Sequence, residues 1–185
     1  MLAAVARGSG YDLEMTWTAP SPARADGPLT GEDRPILESY LAWQRGTLLN
    51  ICAGLTGEQL ARRAVPPSHL SLLGLVRHMA KVERIWFRQR AAGEPVGPLY
   101  GPEKAKDTDF EDVDPALAED DFTRYDVECR LADDAAAALA FDDTFALDEE
   151  VYSLRFVYLH MIAEYARHNG HADLLRGLVD GTTGA

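Results

Sequence analysis

The stretch Leu154-Arg-Phe-Val-Tyr-Leu-His160-Met-Ile-Ala-Glu164-Tyr-Ala-Arg-His168-Asn-Gly-His171-Ala-Asp-Leu-Leu175 decides how this chain folds. At about 100° per residue, His160, Glu164, His168 and His171 fall within roughly 80° of one another, in the sector of Val157, Leu175 and Leu178. Arg155, Asn169 and Asp173 fall on the opposite side, as on a solvated face. The spacing predicts a long helix, from about Ser153 to just before Gly181, whose inward stripe carries three histidines and a glutamate. Polar groups taken out of water without partners are unfavourable. A metal ion would supply the partners.

Working outward, three more helical patterns appear. Thr30-Gly-Glu-Asp33 reads as a capping box with Asp in place of Glu, and Pro35 fits a first turn. Ile36, Leu37, Tyr40, Leu41, Leu48 and Ile51 then keep a helical period to about Gly54, and a short helix capped by Thr56 follows to about Arg62. Pro66-Pro67 breaks the chain. Ser68 or Ser71 caps a helix in which Leu72, Leu75, His78, Met79, Val82, Ile85 and Trp86 recur at steps of three and four, ending near Gly93. Residues 93–115 form a long connection, an unusual feature of a compact domain and often a functional one. A further helix is expected over Asp120–Ala140, and no convincing strand pattern or internal repeat is present. The expected fold is all-α, a four-helix bundle with one long crossover connection. Residues 1–29 read as an irregular leader with a second possible start at Met15, residues 30–180 as the bundle, and residues 181–185 as a tail.

Composition narrows the function. At 185 residues with 46% hydrophobic content the chain can bury a proper core. A formal charge of −12 and a pI near 4.7 argue against nucleic acid and anionic membranes as partners. No apolar run reaches the ~18–20 residues that span a bilayer, and the N-terminus makes a poor signal peptide. A cytoplasmic protein is expected. Cys52 and Cys129 form no disulfide framework and read as core thiols in a reducing compartment.

His78 shares its face with Leu75, Val82 and Ile85, so it too points inward. Glu164 and His168, at i and i+4, put two donors side by side. One histidine from a second helix makes a three-ligand set that leaves positions open for water or substrate. Imidazole with carboxylate suits zinc, nickel or iron. His160 and His171 flank the pair, as replacement ligands, orienting groups or bases. A fourth ligand from either would close the site and mark a non-catalytic metal- or ligand-binding bundle, a sensor or interaction protein. His69, near a helix cap, takes no role. Glycine-rich phosphate loops, the G-x-S-x-G turn and C-x-x-C pairs are absent. Trp43, Trp86 and Phe87 read as packing, Arg155 and Arg167 as solvated surface, and the acidic run from Glu111 to Asp121 as an exposed loop face.

Two segments, Ser71-Leu-Leu-Gly-Leu-Val-Arg-His78-Met-Ala-Lys-Val-Glu83 and His160-Met-Ile-Ala-Glu164-Tyr-Ala-Arg-His168-Asn-Gly-His171-Ala-Asp173, resemble the signatures of the DinB-like (DinB/YfiT-like) superfamily. The resemblance spans roughly Thr30 to Val179 and is nearest to the branch related to mycothiol-dependent enzymes. It implies a four-helix bundle, commonly a homodimer, with a divalent metal on three residues. The first and last positions match His78 and His168; the middle one, often histidine, is Glu164 here, as in the mycothiol-dependent isomerases. The activity implied is thiol-dependent S-transfer or isomerisation of a small electrophile, with mycothiol or bacillithiol as co-substrate.

Overall fold

The computed structural model describes residues 16–102 and 107–183. Residues 1–15 of the expected leader (1–29) lie outside them, as do residues 184 and 185 of the expected tail. Four long helices make the bundle. α1 (Asp33–Cys52) lies along α6 (Leu154–Asp180), while α3 (Leu72–Glu83) packs on α5 (Ala118–Ala137) and touches α6. Between them run the short helices α2 (Gly57–Ala61) and α4 (Thr108–Glu111) and a hairpin of β1 (Thr144–Leu147) with β2 (Glu150–Ser153). Leu41 and Leu48 of α1, Leu75 and Met79 of α3, Phe122 and Tyr125 of α5, and Val157, Met161 and Tyr165 of α6 fill the core. Among the described residues no helix is long and apolar enough to cross a membrane.

The helix ends follow from local chemistry. Thr56 and Gln59 form the reciprocal capping box of α2, and Ser71 Oγ accepts from Gly74 N at 3.1 Å to start α3. Ser153 Oγ caps α6 from Phe156 N, and Gly181, at φ 81, ends it. The box read at Thr30–Asp33 does not form. The chain turns at Gly31 (φ 119), which leaves Glu32 at the cap position without a side-chain bond. α3 continues into a π-helical segment, Arg84–Ala91, whose wider winding the three- and four-residue spacing does not signal. The hairpin is also unannounced. Its strands are four residues long, and Asp148 takes the left-handed turn position (φ 55) where glycine would have flagged it.

Two expectations for α6 are corrected. Asn169 is buried, donating Nδ2 to Gln44 O at 3.1 Å and Gln44 Oε1 at 2.8 Å, because α1 flanks the side that looked solvated. Leu178 is 54% exposed, because the last turn runs past the core. The acidic run is not wholly exposed either: Asp121 is buried, with Arg77 Nη1 at 3.1 Å and Tyr100 Oη at 3.2 Å.

A polar network crosses the middle of the bundle. Arg45 of α1 grips Glu83 of α3 through two bonds, 2.7 and 2.8 Å, and reaches Asp133 of α5 at 2.8 Å. Tyr165 of α6 donates to Glu83 Oε1 at 2.8 Å and meets Tyr125 Oη at 2.9 Å. Glu83 is fully buried, so this bidentate pairing is what makes its charge tolerable. All four long helices contribute.

Candidate metal centre

Beside that network, α3 and α6 bring His78, Glu164 and His168 together. One donor atom from each lies within 4.8 Å of the other two. A tetrahedral zinc ion with bonds of about 2.0–2.1 Å holds its donors about 3.4 Å apart, so the three would close in on a bound ion. His168 Nε2 lies 3.5 Å from Glu164 Oε2, and the His78 and His168 rings meet edge-on at 4.7 Å. Glu164 is half-buried yet makes no hydrogen bond among the described residues; its remaining neighbours are Arg167 at 3.8 Å and His160 at 4.0 Å. His168 Nδ1 is buried without a partner. Burial, the His78 ring and His171 hold His168 down to about 4 against the pull of Glu164, so it is neutral at pH 7 with a lone pair to give. The donor set fits a divalent transition ion.

His78 is oriented by a residue that sequence reading missed. Asp109 of α4 is buried and places Oδ2 2.6 Å from His78 Nδ1 and Oδ1 2.9 Å from Lys81 Nζ. Burial would raise its pKa, but the bonds from His78 and Lys81 pull it down to about 2. An ionised Asp109 only accepts, so Nδ1 carries the proton and Nε2 is left as the electron-pair donor. Gly74 makes the approach of α4 possible, since a Cβ there would sit 3.0 Å from the Phe110 ring. Phe110 in turn stacks on His78 at 4.9 Å. The only signal for Asp109 was its place in the overlong 93–115 connection.

The Mycothiol-S-transferase (MST) family matches residues 36–181, which include His78, Glu164 and His168. The chain belongs to this family. It is thereby a member of the DinB-like superfamily, as its two signature segments implied. No curated protein and no solved structure matches the chain.

His160 and His171 stay outside the three-donor group. The His160 ring lies 4.2 Å from Trp86 and 5.9 Å from Phe156, and burial lowers its pKa. His171 lies behind His168, ring to ring at 5.5 Å, with its Nδ1 buried and unpartnered. For a thiol-handling family the chain's own cysteines are the obvious rival nucleophiles. Both are buried, and burial pushes the Cys52 thiol up to about 12 and that of Cys129 higher still. Phe87 is core and Trp86, half-buried beside His160, packs against the core, both as expected, whereas Trp43 is 48% exposed. Arg167 is solvated, whereas Arg155 spans Asp142 and Asp33.

Proposed function

We propose that the protein is a metal-dependent S-transferase that joins mycothiol to a small electrophile, with His78, Glu164 and His168 holding one zinc, nickel or iron ion. The observation that carries this reading is the convergence of three donors from two helices, in a chain of the Mycothiol-S-transferase family. A divalent ion there would stabilise a thiolate at neutral pH. Asp109 fixes the tautomer and orientation of His78, and His171 backs His168. His160, lowered by burial and so neutral at pH 7, takes the thiol proton beside Glu164. The sulfur then bonds the electrophilic carbon as the leaving group departs with its electron pair. Three protein donors, with no fourth among the described residues, leave room for substrate, which favours catalysis over a closed structural site.

Elemental analysis of protein purified without a metal-affinity tag tests the site. We expect about one equivalent of a transition metal, lost in His78→Ala and His168→Ala. Less than about a tenth of an equivalent, unchanged in both variants, overturns the reading. A conjugation assay with mycothiol and 1-chloro-2,4-dinitrobenzene separates turnover from mere binding; metal without turnover would identify a sensor or interaction bundle.

A further inference from the structure

A cavity of 640 Å³ opens between the α3 extension, the 93–102 segment and β1, within the size range of small-molecule sites. Lys81, Arg84 and Arg90 line it, and among the described residues no carboxylate does, in a protein of net charge −12. Two of these cations are already engaged. Lys81 binds Asp109, and Arg84 is paired with Glu128 at 2.6 Å and bonded to Gly97 O at 2.9 Å. Arg90 is different. Among the described residues it makes no hydrogen bond and no ion pair, and its guanidinium lies over the Trp86 ring at 4.2 Å. Asp148 at the hairpin turn acts on it only at a distance. Ile85, Val96, Leu99 and Leu147 supply apolar wall.

We propose that this cavity binds a small organic anion with an apolar body, and that Arg90 holds its acidic group. An unpaired, half-buried guanidinium is a strong carboxylate ligand because two parallel N–H donors match the two oxygens. The stacked indole fixes that guanidinium and restricts its freedom before the ligand arrives. Lys81 on the cavity wall shares Asp109 with His78, which links the cavity to the donor cluster through two side chains. An anion seated there would touch the cluster only through that link. Its role as the acceptor of S-transfer rests on the function proposed above; its binding does not.

The test compares 1-naphthylacetate with its neutral isostere 1-naphthylacetamide by isothermal titration calorimetry on the full chain. We expect the carboxylate to bind at least about tenfold more tightly, the preference to shrink with added salt, and Arg90→Gln to reduce it to within about twofold. Arg90→Lys should keep part of it, and Arg24→Gln, a distant exposed site, all of it. Equal or undetectable binding of the two probes, or a preference that survives Arg90→Gln, overturns the proposal. Zinc titration of the same proteins keeps the two readings apart. No preference in the parent chain despite normal zinc binding sinks the cavity alone, whereas a preference in a parent chain that binds no metal sinks the metal centre and leaves the cavity standing.

Discussion

Two clusters of polar side chains share the interior of this bundle, and they are built on opposite principles. In the Glu83 network each charge is answered: Arg45 takes both carboxylate oxygens, Tyr165 adds a third bond, and Asp133 balances the remaining guanidinium edge. In the His78, Glu164 and His168 cluster, three donor atoms lie within 4.8 Å of one another with no cation among the described residues paired to them as Arg45 is to Glu83. Among the described residues Glu164 makes no hydrogen bond and His168 keeps an orphan nitrogen, while the hydrogen bond from His78 to Asp109 sharpens a lone pair and leaves it unused. Buried polarity that is fully paired holds helices in register. Buried polarity left incomplete, at a fixed geometry, is what a site for a further ligand looks like.

The largest effect should come from breaking the closed network. Glu83→Ala leaves Arg45 as a buried charge without its main partner, which should destabilise the fold by about 3–5 kcal/mol in chemical denaturation. Removing a donor from the open cluster should do the reverse of harm to the metal-free protein. His168→Ala discards an orphaned buried nitrogen, so its metal-free stability should stay within about 1 kcal/mol of the parent. What it should lose is the response to metal. Zinc at a hundredfold over its dissociation constant stabilises a one-site protein by about 2.7 kcal/mol, or roughly 5–10 °C in Tm for a chain of this size. A Tm rise in the parent that persists in His168→Ala would erase the distinction between the clusters.

Asp109 tests the link between open cluster and scaffold. Asp109→Asn can no longer accept from His78 and Lys81 as an anion, so the favoured tautomer and ring angle of His78 are lost. Metal affinity, read by competition with a chromophoric chelator, should fall about 10–100-fold. Nitrogen chemical shifts of His78 should move from a protonated Nδ1 toward a mixture. Unchanged affinity would mean that the histidine is oriented by Phe110 stacking alone.

The open cluster was far more legible in the sequence than the closed one, for a physical reason. His160, Glu164, His168 and His171 break an apolar period on one helix, and a broken period is visible locally. Glu83 and Arg45 lie 38 positions apart on different helices. Each alone resembles a surface charge, and only the packing of α1 on α3 reveals the pair. Asp121 with Arg77 was hidden in the same way, inside a run that looked solvent-facing. Asp109 lies in a segment rich in proline and glycine, where no period exists to be broken. Asn169 misled because a helix flanked on two sides buries a wider arc than a single apolar stripe suggests.

The smallest expected effect concerns Cys129, which sits within the closed network, its Sγ 4.0 Å from the Tyr165 hydroxyl. If that network is as sealed as its bonding indicates, neither cysteine joins the thiol chemistry proposed for the open cluster. With the Cys52 thiol at about 12, about one part in ten thousand is thiolate at pH 8, and burial denies that fraction a partner. A chromogenic disulfide reagent should therefore titrate no thiol in the native protein and two after guanidinium denaturation. Cys52→Ala and Cys129→Ala should each leave the mycothiol conjugation rate within about twofold. A thiol that reacts in the native state, or a rate that collapses in either variant, would show that the closed cluster exchanges with the open one, and the sulfur that attacks would then have to be sought inside the chain.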